Sequence, residues 1–318
     1  MGSDKSGFSI PDDDYVVVFR TIRSDVRGRL ARLGRAADQI VTPHAMPLVP
    51  SISLGEGLAL TTLLSSALPG DGRVILQTRT DGIVTLIAGD CDAAGRLRGY
   101  ARYDAGTLAV IEEAGRALDD RSVLGNGLLA LTIETGPDRD RYQGVLGLEG
   151  APLQTAAMAY FEQREALPTF VQLAVAQHFS QQSDKPNSGL TWRAGGLMLQ
   201  DERREREASE DDEMRDGWSR ARHLALTLKD HELLDPSLSA ETLLVRLFHE
   251  EGVVIERVLI IKAECRCAGR DSLLATLKSF GRDKLGDLFD DDGRIAAVCE
   301  FCLKQNVFTR SDFDAGVL

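Results

Sequence analysis

The chain has 318 residues, with 49 Asp and Glu against 37 Lys and Arg and a formal net charge of -12. That balance argues against any general affinity for nucleic acid or anionic membrane, because both are polyanions. A hydrophobic content of 43% without a long apolar run fits a globular chain of one large domain, or a core with appendages, and predicts no membrane span.

The leader MGSDKSGFSIPDDD has no apolar signal-peptide region and reads as an acidic tail, so the chain is expected in the cytoplasm. Tyr15-Val-Val-Val-Phe-Arg-Thr21 reads as a short β-branched strand. Val26, Leu30, Leu33, Ala37 and Ile40 recur at helical spacing and predict an amphipathic helix, its arginines on a solvated face. Pro43, Pro47 and Pro50 mark a loop, with His44 as a turn or surface residue, and a second apolar helix is expected over 54–68.

From Arg73 the pattern turns to strands. Residues 74–78 and 83–88 predict a hairpin about Asp81-Gly82, followed by strands over 97–103, 128–134 and 143–148. Gly125-Asn126-Gly127 mimics a dinucleotide fingerprint, but a strand follows it where the fingerprint needs a helix, so it reads as a turn. A turn is expected at Gly136-Pro137-Asp138, helix over 151–180 with a break at Leu167-Pro168, and a polar loop from Ser180 to Ser188. Asp201 to Arg222 carries nine acidic and six basic residues and few apolar ones, which predicts a solvated helix or a weakly stable linker. An amphipathic helix with Leu243, Leu244, Leu247 and Phe248 on one side follows it. Strands flanked by helical segments, without regular βαβ alternation, make the expected fold class α+β.

The strongest chemical signal lies near the end. Cys265-Arg266-Cys267 and Cys299-Glu300-Phe301-Cys302 are separated by 31 residues, and the segments between them, Leu273 to Phe280 and Leu285 to Phe289, are too short to build a core. Four thiolates brought together suit a closed tetrahedral zinc site that leaves no coordination position for water, so Lewis-acid catalysis is not expected. Paired cysteines in a reducing compartment are metal ligands or redox groups more often than structural bridges, and Cys91 in a strand reads as a buried apolar residue. The unit then has three readings: a structural zinc ribbon, a redox switch in which oxidation consumes ligands pairwise and ejects the metal, or a nucleic-acid ribbon. Nine basic against ten acidic residues over 261–318 make the last a poor electrostatic match. No nucleophile elbow, P-loop or H-E-x-x-H motif is present, the histidines at 44, 178, 223, 231 and 249 are scattered, and no enzyme is expected.

The cysteine spacing, with Gly95-Arg-Leu-Arg-Gly-Tyr100, Tyr142-Gln-Gly-Val-Leu-Gly-Leu148, Ala159-Tyr-Phe161, Leu167-Pro-Thr169, Gly196-Leu-Met-Leu-Gln200 and Arg246-Leu-Phe-His-Glu-Glu251, resembles the heat-shock protein 33 family of redox-regulated chaperones. Order and spacing agree over roughly 15–315. The resemblance implies an α+β core domain at 1–198, a charged helical linker at 199–260 and a zinc-binding switch domain at 261–318. It implies one Zn(2+) on Cys265, Cys267, Cys299 and Cys302 in the reduced state, and nearest-neighbour disulfides Cys265–Cys267 and Cys299–Cys302 after oxidation. It further implies an ATP-independent holdase for unfolded or partly folded client proteins under oxidative stress, with a homodimer forming on oxidation. The alternative from another class is a constitutive zinc-ribbon interaction module without redox sensing. Gln163-Arg164-Glu165-Ala166, Asp201-Glu-Arg-Arg204, Asn306 and the proline-free Asp81-Gly82 turn depart from the family pattern, and bear on the oxidant threshold and linker stability.

Overall fold

The computed structural model describes residues 10–115, 123–136, 141–179, 189–202, 212–279 and 285–314. The acidic leader up to Ser9, most of the 136–138 turn, the polar loop 180–188, the first part of the charged run and Phe280 lie outside them. The chain divides into two compact units, Met1–Ala263 and Glu264–Leu318.

The first unit is α+β. Its five-stranded sheet has the order β10-β1-β2-β9-β8, from Val253–Ile260 (β10), Tyr15–Thr21 (β1), Arg27–Leu33 (β2), Leu190–Gln200 (β9) and Thr169–Phe179 (β8). A six-stranded sheet has the order β11-β5-β4-β3-β6-β7, from Lys262–Ala263 (β11), Arg96–Tyr103 (β5), Val84–Asp92 (β4), Arg73–Thr80 (β3), Gly127–Glu134 (β6) and Arg141–Gly147 (β7). Pairing is antiparallel except for β11 beside β5, so the run from β10 to β11 passes from one sheet to the other. Helix α1 (Arg35–Val41) follows β2. Helix α2 (Leu48–Ser65) touches strands of both sheets, and its Leu54, Leu58, Leu60 and Leu63 are fully buried. Among the described residues it is the one helix long and apolar enough to cross a membrane, and 78% of it is buried in the core, which is where its hydrophobicity is spent. Helices α3 (Ala105–Glu113) and α4 (Leu153–Tyr160) complete this part of the unit.

The glycines of two motifs have steric reasons. Gly95 has φ +81°, and a Cβ there would lie 1.9 Å from the Ile260 carbonyl oxygen; at Gly144 one would lie 1.9 Å from Tyr160 Oη. Gly125, at φ +62°, turns the chain into β6, as expected of a turn rather than a nucleotide loop.

Three sequence expectations are corrected. Residues 26–40 form β2 and α1, not one helix: the three-and-four spacing of Val26, Leu30 and Leu33 is genuine, but ladders to β1 and β9 on either side override it. Arg29 and Arg32 are therefore buried at 3% and 1% exposure, not solvated. Residues 151–180 are helical only to a π-turn over Phe161–Glu165, after which Ala166 (φ +48°) and Pro168 redirect the chain into β8. Pro47 and Pro50, expected in a loop, cap α2 and occupy its first turn, where no backbone N–H is needed.

Three further helices, α5 (Asp212–Ala225), α6 (Asp230–Leu234) and α7 (Ala240–Phe248), pack within the first unit. Their Ala221, Ala225, Leu233, Leu243, Leu247 and Phe248, with Leu228 from the turn between α5 and α6, share one buried cluster with Tyr15, Val17, Phe19, Leu30, Phe170 and Leu199 of the five-stranded sheet. The Phe19 and Phe248 rings lie 5.7 Å apart. Arg32 reaches from β2 to donate to the carbonyls of Glu232 (2.8 Å), Asp235 (3.1 Å) and Leu238, and so ties the α6–α7 turn to the sheet. Arg220 of α5 pairs with the buried Glu251 at 2.9 Å.

Candidate metal centre

The second unit has little core. Among its described residues only Ile295 and Phe308 are buried apolar side chains. They face each other across the two-stranded sheet of β12 (Arg294–Val298) and β13 (Gln305–Thr309). Helix α8 (Arg270–Lys278) buries none of its residues fully, and α9 (Arg310–Asp314) closes the unit. Arg270 lies 4.9 Å over the Phe308 ring and 2.9 Å from Asp312, while Phe289 stacks edge-on to Phe313 at 5.6 Å with Arg310 over it at 4.6 Å. Contacts of this kind at or near the surface add little to the stability of a unit this small.

The second cysteine pair sits in the β12–β13 turn. Cys299 N–H donates to the Lys304 carbonyl (3.0 Å) and Leu303 N–H to the Cys299 carbonyl (2.8 Å), with Leu303 at φ +58°. This knuckle turns the Phe301 and Cys302 amides toward the Cys299 sulfur. Burial pushes the Cys299 thiol up, but those two N–H donors and the adjoining thiols outweigh it, and its pKa falls below the usual thiol value. Cys267 moves the other way: burial, then its hydrogen bond with Cys302, raises it. The first pair lies on extended chain between β11 and Gly269, the N-cap of α8.

The four sulfurs all lie within 4.8 Å of one another. Cys265 Sγ to Cys299 Sγ and Cys267 Sγ to Cys302 Sγ are both 3.8 Å. Four thiolates at about 2.3 Å from a central zinc form a tetrahedron with edges of about 3.8 Å. Two of the six edges match that value and all six are within 4.8 Å, so the donor set is compatible with a tetrahedral thiophilic metal, and the four cysteines can hold a metal ion. With all four donors engaged the shell is closed to water and substrate.

The structure thus brings together the four cysteines that the sequence singled out, and sets Cys91 apart, buried in β4 beneath Ser65 Oγ (3.2 Å). The scattered histidines do not join the cluster. Arg270, near the first pair in sequence, is committed to Asp312 and Phe308. Sequence reasoning missed the amides of the knuckle and the α8–α9 clasp. The clasp has one readable signal, Thr309 three residues before Asp312, whose carboxylate accepts the Thr309 N–H at 2.8 Å.

The family description "Hsp33 protein" matches residues 14–309. The chain is 39% identical over 294 residues to a 33 kDa chaperonin of Caulobacter vibrioides, covering 91% of this chain and 93% of that one. It is 34% identical over 302 residues to a 33 kDa chaperonin of Ectopseudomonas mendocina, with 94% of each chain covered. Its fold is similar to the solved structure of the 33 kDa chaperonin (heat shock protein 33 homolog) of Thermotoga maritima, at a TM-score of 0.73 and 18% identity over 95% of this chain and 97% of that one. With the four-cysteine centre in place and both sequence matches running nearly end to end, the chain belongs to the Hsp33 family of chaperones.

Proposed function

We propose that the protein is an ATP-independent holdase of the cytoplasm, held inactive by zinc on Cys265, Cys267, Cys299 and Cys302 and activated when these thiolates are oxidised. The observation that carries this reading is a tetrahedral sulfur set in a unit whose described residues bury only two apolar side chains. When bound, zinc supplies a cross-link and keeps all four sulfurs as thiolates, and in such a unit metal affinity is folding free energy, about 10 kcal/mol or more.

In the activating step each cysteine pair passes two electrons to one peroxide. An S–S bond forms, the O–O bond breaks, and two protons from solvent complete two water molecules. Two peroxides thus convert four thiolates into Cys265–Cys267 and Cys299–Cys302 and leave the metal without ligands. The unit then loses its cross-link. The reading divides the chain into a core at 1–198, a linker at 199–260 and a switch at 261–318. Undocking the linker would uncover Tyr15, Val17, Phe19, Leu30, Phe170 and Leu199, which α5–α7 cover in the resting state. Those side chains offer an apolar surface to unfolded or partly folded clients, each worth about 1.5–3 kcal/mol when reburied, and to a second oxidised copy.

The test is to treat the reduced, zinc-loaded protein with peroxide at raised temperature and follow zinc release, thiol count and aggregation of a client enzyme. Zinc release with suppressed aggregation is the expected result. If zinc leaves and aggregation is unaffected, the centre is a structural ribbon and the switch reading fails.

A further inference from the structure

A cleft of about 430 Å³ lies within the first unit, near the end of α2. Its walls are apolar: Leu64 and Leu68 at the end of α2, Val74, Leu131 and Ile133 from the six-stranded sheet, and Leu167 before β8. One strong cation lines it. Arg29 shares its face of β2 with Ala31 and Leu33, which belong to the apolar layer around α2, and the guanidinium enters that layer almost fully buried.

Its hydrogen bonding is incomplete. Nη1 donates to Gln200 Oε1 and faces Met198 Sδ at 3.8 Å. Nη2 has Glu202 only at 3.7 Å, and Arg27 holds that carboxylate closer, at 2.9 Å. Nε is buried with no acceptor. The other carboxylate on the cavity wall, Glu165, accepts from Tyr142 Oη at 2.8 Å and Tyr160 Oη at 3.5 Å, which disperses its charge. A buried cation whose Nη2 has no acceptor within hydrogen-bond distance, at the edge of a largely apolar cleft within the size range of small-ligand sites, is complementary to an anionic head on an apolar chain.

We propose that this cavity binds an amphipathic carboxylate of the fatty-acid class, its head accepting from Arg29 and its chain lying among Leu64, Leu68, Leu131 and Ile133. The site is independent of the cysteine centre and is present in the reduced, linker-docked chain.

Titration calorimetry of the reduced, metal-loaded full chain with decanoate, decanol and decylamine tests it. Decanoate is expected to bind at least about tenfold more tightly than decanol, with decylamine the weakest. Arg29→Met should lower decanoate affinity about tenfold or more while leaving decanol within about threefold, and Leu131→Trp should abolish binding of both by filling the cavity. Equal affinity for decanoate and decanol would mean non-specific apolar binding, and a preference for decylamine would mean that Glu165 and Glu202 set the polarity. Either result, or no measurable decanoate binding, overturns the proposal. If Arg29→Met does not fold, the ligand series on the unmodified chain and the Leu131→Trp variant decide it.

Discussion

Cys302→Ser removes one soft donor from a set of four, two of whose edges have the length of a zinc tetrahedron's. A hydroxyl is a poor replacement, so metal affinity should drop by more than about 100-fold. Metal analysis of the purified variant should read close to zero zinc, whereas Cys91→Ala, at a thiol outside the cluster, should keep one zinc per chain. A zinc-loaded Cys302→Ser protein would remove this cysteine from the ligand set. A quieter residue makes a pH prediction. Asp14 sits at φ +58°, and its Oδ1 accepts the N–H of Gly34 and of Ala36, both at 2.9 Å. Burial raises its pKa, opposed by the Ala36 N–H bond and reinforced by Asp13. The sign follows: a raised carboxyl pKa means the folded state favours the protonated form. Its stabilising contribution is therefore full below the ordinary aspartate value and is lost as pH rises through the folded value. Asp14→Asn tolerates the left-handed backbone and keeps the oxygen acceptor without the charge. Its melting temperature at neutral pH should equal or exceed that of the unmodified protein, and a drop of several degrees would refute the assignment.

At the scale of elements, what the sequence revealed depended on whether local pattern and tertiary pairing agreed. The β3–β4 hairpin, β5 and β6 were readable because short apolar, strand-like runs lie between turn residues. The four cysteines were readable because their spacing survives any fold. Strand β2 was not, because Leu30 and Leu33 fit a helix as well as they fit a strand, and only its place between β1 and β9 decides the matter. Strand β8 was hidden by the helical start of its segment at Leu153. The same misreading concealed a function for arginine. Arg32 looked like a solvated charge, yet its guanidinium holds three carbonyls of the α6–α7 turn. Arg32→Met keeps the volume and strands those carbonyls, which should cost on the order of 3 kcal/mol. The cost falls on the docking of α5–α7, so the reduced variant should be cut by protease within 212–248 and, on the proposed holdase reading, should suppress client aggregation before any oxidant is added. Protease resistance equal to the unmodified protein would show that Arg32 does not hold the linker.

Across the whole molecule, the three layers of stability differ by what each one buries. The second unit buries only Ile295 and Phe308 as apolar side chains among its described residues, so on the proposed reading it depends on the metal that its four sulfurs would hold. Among its described side chains, α5 offers the shared cluster Ala221 and Ala225 as fully buried, with Trp218 and Leu224 partly covered, whereas α7 offers Leu243, Leu244, Leu247 and Phe248. The two sheets hold the large core around α2. Chelation of the reduced protein followed by slow heating should therefore strip protection in a fixed order, read by amide hydrogen exchange. The β12–β13 amides at 294–309 should exchange first, at ambient temperature, since metal removal takes away most of their folding free energy. The α5 amides should follow on mild heating, before those of α7, because two buried alanines, two partly covered side chains and the Arg220–Glu251 pair oppose the entropy of fourteen ordered residues. The β3–β6 ladder should go last. Simultaneous loss of all three regions on chelation would mean that the first unit depends on the metal directly. Loss of α7 before α5 would mean that burial does not set the order, and that linker release begins at the turn held by Arg32 and not at the charged end.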